Sequence, residues 1–333
     1  MSKPSEANLI ARQHLEHTPD IPTRTLARIL FEGDPKMFKS VDSARKTIQY
    51  LRGQNGHHTR QFSQKTSPHL QKDAYWQVNE MPVSISRPTK ALQVNGVNRV
   101  LIMSDMHIPY HDKNSIEAAV KFGREFKPNI IHLNGDIADF YAISRHDKDP
   151  RREMKQELDA VRQFLYWLRK AFPKAQILYK IGNHEDRMER FLVKNAPVFL
   201  GVPDFEVAEL LKFRDMGIEL VKSLQLVRFG KLPVYHGHEL PQGMSSPVNP
   251  ARGLWMRVQE TCVAGHWHRV SEHTEKTGIS DKISSCWSLG CLCDMKPDYA
   301  SVNRWSAGFA TVETDKGGEF EFHNKKIIQG RVF

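Results

Sequence analysis

The sequence predicts an α/β protein of two packed β-sheets flanked by helices, preceded by a small all-α region. Three observations carry this. From residue 98 short apolar runs alternate with amphipathic helical stretches, and the second half is dense in further strand-like segments. Before residue 55 the apolar residues recur only at helical spacing. A chain of 333 residues accommodates one large domain and a smaller attachment.

Ser5 is placed to cap a helix through Leu9, Ile10 and Leu15 that stops at Thr18-Pro19. Thr23 is placed to cap a second, with Leu26, Ile29 and Leu30 on one face and an end near Gly33. Ser40 is placed to cap a third, with Val41, Ala44, Ile48 and Leu51 inward and Gly53 as its stop. The third helix carries Arg45, Lys46, Gln49 and Arg52 on its polar face. Residues 1–55 therefore suit a helix-turn-helix domain, the alternative being a helical cap docked on the main domain. Residues 56–97, polar and irregular with prolines at 68, 82 and 88, read as a linker.

Residues 98–333 form the main domain. RVLIMS (99–104), NIIHLN (129–134) and QILYKI (176–181) are strands. A helix lies near 114–126. Another covers RREMKQELDAVRQFLYWLRKAF, where Met154, Leu158, Val161, Leu165 and Leu168 recur every three or four residues, and a third starts at about 186. This βαβαβ order implies a parallel sheet. Further strands are expected at 217–228, 232–236, 261–265, 269–275, 283–288, 307–313 and 319–325.

The net charge is +10 and unevenly placed, with 14 Lys and Arg against 8 Asp and Glu in residues 1–93 and 34 against 30 in the rest. That asymmetry suits a polyanionic partner, DNA or RNA, on the N-terminal region. No apolar run approaches the roughly 18 residues that would span a bilayer, and the first residues lack a signal peptide's apolar core, so a cytoplasmic location without membrane contact is expected. Cys262, Cys286, Cys291 and Cys293 are too few and too local for a disulfide framework, and read as buried free thiols.

Each strand of the first half ends in a polar signature. RVLIMS leads to Asp105-Met106-His107, NIIHLN to Gly135-Asp136 and then Asp139, and QILYKI to Gly182-Asn183-His184-Glu185. Ligands of open α/β sheets bind beyond the carboxyl ends of the strands. The second half adds His236 and His238 after LPVY, and His266 and His268 in VAGHWHRV. On an extended backbone His266 and His268, two apart, would reach one site from the same side.

In order, D-x-H, G-D-x-x-D, G-N-H-E, H-G-H and G-H-x-H resemble the pattern of the calcineurin-like metallophosphoesterases, over roughly residues 98–325. The resemblance implies a four-layer αββα fold and two divalent ions, manganese first among manganese, iron, zinc and nickel. By resemblance Asp105, His107, Asp136 and His268 hold one ion, and Asp136 bridges to a second completed by Asn183, His236 and His266. The same likeness puts His184 on the substrate, with Asp139 orienting it. His238 stays outside the ligand set. His111, His132 and His146 read as ordinary polar residues, Trp267 as packed or lining the cleft, and Arg187 and Arg190 as a solvated helix face, the alternative being that they reach a phosphate.

Where the Ser/Thr phosphatases of the family carry Arg-Gly after the second element, this chain has Phe140-Tyr141, and its closing G-H-W-H suits phosphodiesterases and nucleases. The segment CWSLGCLCDMKPDY and the SARKTIQYLRGQNG helix resemble phosphoesterases of phages and prophages, which would put the protein in a bacterial host's cytoplasm. The function expected is two-metal hydrolysis of phosphodiesters in nucleic acid. The alternatives are a phosphoesterase of small or protein substrates with the helices as a cap, and a non-catalytic DNA-binding protein.

Overall fold

The computed structural model describes residues 5–54, 83–86, 89–145, 149, 151–240, 248–297 and 300–333. The chain divides into two compact units, Met1–Ser86 and Arg87–Phe333.

In the first unit, α1 (Glu6–His17), α2 (Thr23–Gly33) and α3 (Val41–Leu51) enclose a core of Ala11, Leu26, Ala27, Leu30, Phe38, Ala44 and Ile48. Ser40 caps α3 as its position predicts, its hydroxyl accepting from the Ser43 N–H at 3.1 Å. Thr23 does not cap α2. It is the first helical residue, after Pro22, and its hydroxyl instead accepts from Arg52 Nη1 at 2.6 Å. Arg52 also donates to the Pro19 carbonyl at 3.0 Å, so it ties the end of α3 to the α1–α2 connection rather than facing solvent. Arg45 is paired with Asp42 at 2.7 Å. The α2–α3 connection, Asp34 to Ser40, exceeds the 3–4-residue turn of a helix-turn-helix.

The second unit holds two mixed sheets. One runs β13-β12-β11-β2-β3-β4-β5, from β2 (Asn98–Met103), β3 (Ile130–Asn134), β4 (Gln176–Lys180), β5 (Ile218–Val221), β11 (Gly308–Thr314), β12 (Phe320–Ile328) and β13 (Arg331–Val332). The strands β2 to β5 are parallel as the βαβαβ order predicts, but β11 joins β2 antiparallel. The other runs β1-β6-β7-β8-β10-β9, from β1 (Leu92–Val94), β6 (Val227–Phe229), β7 (Leu232–Tyr235), β8 (Cys262–Ala264), β9 (Ser271–Lys276) and β10 (Ile283–Ser288). The strand read as 217–228 is thus two strands in different sheets. Leu92–Val94, at the end of the stretch read as linker, pairs with β6, while residues 55–82 lie outside the described residues.

Strand alternation assigns the layers. Val100, Ile102, Ile130, Leu178 and Val312 meet Val227, Phe229, Val234 and Val263 between the sheets. Leu101, Met103, Ile131, Leu133 and Ile177 point the other way, against α4 (Lys113–Phe126) and α5 (Met154–Ala171). Behind the second sheet, Ala251 and Leu254 of α7 (Pro250–Val258) cover Cys262, Ala264 and Cys286. The order is helix, sheet, sheet, helix, with α6 (Asp186–Asn195) following β4. No helix among the described residues is long and apolar enough to cross a membrane.

Candidate metal centre

The parallel order of β2, β3 and β4 in one sheet and of β7 and β8 in the other sends five loops toward one edge. These loops are tightly folded. Asp105, His107, Asp136, His266 and His268 all sit at positive φ, between 51° and 70°, a conformation that costs an L-residue about 1–2 kcal/mol and is retained where the surroundings impose it. His266 and His268 are therefore not extended neighbours sharing one side. They face two different groups of ligands.

The first group is Asp105, His107 and His268, all buried. The Nε2 atoms of His107 and His268 are 3.2 Å apart, and His268 Nε2 is 3.3 Å from Asp105 Oδ1. The second is Asp136, His236 and His266. His236 Nε2 lies 3.2 Å from Asp136 Oδ2 and 3.2 Å from Asn183 Oδ1. Asp136 faces the first group as well, 4.0 Å from His107 Nε2. The seven residues singled out as ligands are thus brought together around Asp136.

These groups fit metal ions on hydrogen-bond grounds alone. His236 Nδ1 donates to the Asn134 carbonyl at 2.7 Å, so in the neutral ring Nε2 carries a lone pair. That lone pair points at two oxygens, which is repulsive unless a proton or a metal ion lies between them. Ligand atoms about 2.1 Å from one ion and roughly 90–110° apart are separated by about 3.0–3.4 Å, and the pairs His107–His268, His268–Asp105, His236–Asp136 and His236–Asn183 fall in that range at 3.2–3.3 Å. Imidazole with carboxylate and amide oxygen suits borderline divalent ions.

With protons alone, the same field governs titration. Burial depresses the His236 and His268 rings, but Asp136 and Asp105 respectively outweigh it and push each to about 10. Burial would raise Asp105, and His268 brings it down to about 2. Burial, then His236, lowers His266 to about 4.

Residues 98–284, more than half of the chain, match the model of the calcineurin-like phosphoesterases. The chain belongs to that family. It is a metal-dependent phosphoesterase, with two candidate ligand groups that meet at Asp136. Phage proteins are among its relatives. It is 26% identical over 230 residues to the Gene 54 protein of Mycobacterium phage L5, covering 65% of this chain and 89% of that one. It is 27% identical over 246 residues to the Gene 54 protein of Mycobacterium phage D29, covering 70% and 95%. Among solved structures, a dimetal phosphatase from Danio rerio aligns at 12% identity over 70% of this chain and 97% of its own, with a TM-score of 0.36.

In this phosphoesterase His184 stands beside the ligands. Its Nε2 is 3.9 Å from Asp136 Oδ2, and its Nδ1 donates to the Asp139 carbonyl at 2.9 Å. The Asp139 carboxylate meets His107 Nδ1 at 3.2 Å, so Asp139 orients two rings. Burial depresses His184, and Asp136 then raises it above its ordinary value. His238 stays outside both groups, 2.8 Å from the Ser223 hydroxyl. His132 is buried against Asn134, Trp267 is half-buried beside the His266 ring, and His146 lies outside the described residues.

Sequence reasoning gave no site role to Glu185, Glu239 and Cys293, and left Arg187 between a solvated face and a phosphate contact. Glu185 accepts from the N–H groups of Asp136, Ile137, Ala138 and Gly182 and from the Tyr179 hydroxyl, all within 3.0 Å. It fixes the Asp136 loop from within. Arg187 does not face solvent but reaches Asp139. Glu239, paired with buried Lys180 at 2.9 Å, holds the His236 and Gly237 N–H groups. Cys293 Sγ lies 3.9 Å from His268 Nδ1, where a carboxylate or carbonyl more often orients a ligand histidine. Glu185 closes the G-N-H-E motif and Glu239 follows H-G-H directly, which is the one signal that could have found them.

Proposed function

We propose that this phosphoesterase cleaves phosphodiester bonds of nucleic acid. Asp105, His107, Asp136 and His268 would hold one divalent ion, manganese the first candidate, and Asp136, Asn183, His236 and His266 a second. The observation that carries the hydrolytic reading is the meeting of the two ligand groups at Asp136. Such a pair of ions, when bound, lowers the pKa of a shared water and clamps phosphoryl oxygens.

The protein's own part is orientation and proton supply. Asp139 fixes Nδ1 of His184, which leaves Nε2 facing the Asp136 end of the site as the donor for an ester oxygen. The nucleic-acid substrate is supported by the basic first 93 residues, which would neutralise a phosphate backbone without reading sequence, and by the phage relatives. A host-cytoplasmic location follows from the same reading.

The test offers the purified protein, with manganese, bis(p-nitrophenyl) phosphate, p-nitrophenyl phosphate, and single- and double-stranded DNA. Diester and DNA turnover that disappears on chelation and in Asp136→Ala and His184→Ala is expected. Turnover of the monoester alone would overturn the diesterase reading. Salt-sensitive DNA binding without turnover under any metal would overturn the enzymatic one.

A further inference from the structure

Arg187 lies on the first turn of α6, three residues after His184. Its Nη1 donates to the Asp139 carbonyl at 2.8 Å and stands 3.3 Å from Asp139 Oδ1. Its Nη2 stands 3.0 Å from His184 Nε2. The carbonyl that accepts from Arg187 is also the one that accepts from His184 Nδ1. One backbone oxygen thus holds a guanidinium and an imidazole side by side.

His184 Nε2 is 3.9 Å from Asp136 Oδ2 at the bridging end of the ligand groups, and Arg187 Nη2 stands directly beside that nitrogen. A guanidinium has five N–H donors and no acceptor. The structure spends those of Nη1 on Asp139. It leaves Nη2 on a ring nitrogen, a poorer acceptor than an anionic oxygen, and Nε has no partner among the described residues. A purely structural arginine would have its donors consumed by carboxylates and carbonyls, as Arg169 has with the carbonyls of Met216, Phe172, Ala175 and Gly217.

We propose that Arg187 is a further catalytic residue, a cation that, beside His184, donates to the non-bridging oxygens of the scissile phosphate. The assignment rests on the phosphoesterase reading of the site. An incoming ester displaces the Arg187–His184 contact: Arg187 turns its Nη2–H bonds to the non-bridging oxygens, and His184 Nε2, released from Arg187 and protonated from solvent, donates to an ester oxygen. Arg187 then balances charge that grows as the water attacks. A planar fork suits phosphate better than an ammonium, so lysine would replace it only in part.

The test compares wild type with R187A and R187K in the full chain. R187A is expected to lose about 10²-fold in kcat/KM on bis(p-nitrophenyl) phosphate. Its inhibition by inorganic phosphate should weaken about tenfold, while metal content and Tm stay at wild-type values. R187K should fall between. Added guanidinium, far below denaturing concentration, should restore part of the R187A rate, which a role confined to holding the Asp139 loop would not allow. Wild-type turnover by R187A, or a rate loss that only tracks lost metal, would overturn the assignment. A wild-type protein without metal-dependent turnover would instead overturn the phosphoesterase reading. In that case inorganic phosphate binding by calorimetry still reads Arg187, and an unchanged Kd in R187A would sink it.

Discussion

Gly135 sits at φ +88°, and a Cβ there would stand 2.5 Å from His236 Nδ1. Gly135→Ala therefore adds left-handed strain of about 1–2 kcal/mol and drives the ring from the Asn134 carbonyl. Metal analysis should find the Asp136–His236–His266 group emptied and the Asp105 group still loaded; two ions per chain would contradict this. Glu157 makes a pH prediction. Buried against the Phe140 and Tyr141 N–H groups, its carboxyl is pushed up to about 7, chiefly by burial. Its folded value exceeds the unfolded one, so the folded protein binds the extra proton. The stabilisation is full below about pH 4.5 and is lost as pH rises through about 7, on the order of 3 kcal/mol. Urea unfolding should show that loss between about pH 5 and about pH 8 in wild type and a flatter profile in Glu157→Gln; equal slopes would refute it. The ligands themselves were legible because strand ends crowded with Asp, Asn and His serve no packing purpose. The partners of Arg187 and Glu185 were not, since what each touches depends on how the Asp136 loop folds back, which spacing along the chain does not encode.

At the scale of elements, Lys180 and Glu239 join the end of β4 in one sheet to the loop after β7 in the other. Lys180 also donates to the Ser223 and Gln225 carbonyls at 2.7 and 2.9 Å. Burial raises Glu239, and Lys180 together with His238 and His236 more than offsets it, bringing the carboxyl to about 2. Lys180→Met strands a buried carboxylate that still holds the His236 N–H, at a cost of about 3–5 kcal/mol. Chemical denaturation should show that loss, and metal affinity should drop with it; a loss under about 1 kcal/mol would mean water already screens the pair. Lys180 sits next to last in the run QILYKI, and nothing in that run points to a partner in the other sheet. The parallel core strands were readable because both of their faces are apolar. The helix α7 was missed because PARG opens it with proline and carries a glycine inside. Yet Asn249 before Pro250 was a start signal, and its side chain does accept from the Arg252 N–H at 3.1 Å.

For the whole molecule, the question is what the first unit adds to the second. Each keeps its own core, the N-terminal one confined to residues between Ala11 and Ile48, so removal of residues 1–86 takes no side chain from the catalytic cores. All seven proposed ligands, His184, Asp139 and Arg187 lie in the second unit. Turnover of bis(p-nitrophenyl) phosphate should therefore survive the deletion at close to the full-length rate. Nucleic acid differs, because each lysine or arginine that neutralises a phosphate releases counterions and makes binding fall with salt. With Arg52 and Arg45 paired inside the unit and Lys46 beside Asp42, attraction from the described residues would come from Arg24, Arg28, Lys36 and Lys39, all exposed and dispersed along the helices and their connections. That pattern favours binding without sequence preference. Full-length protein should cleave DNA faster than the deletion variant at low salt, the advantage should vanish as salt rises, and unrelated sequences should be cut alike. Equal loss on DNA and on the chromogenic diester would instead make the first unit a structural cap, and a salt-independent advantage would point to contacts other than phosphate.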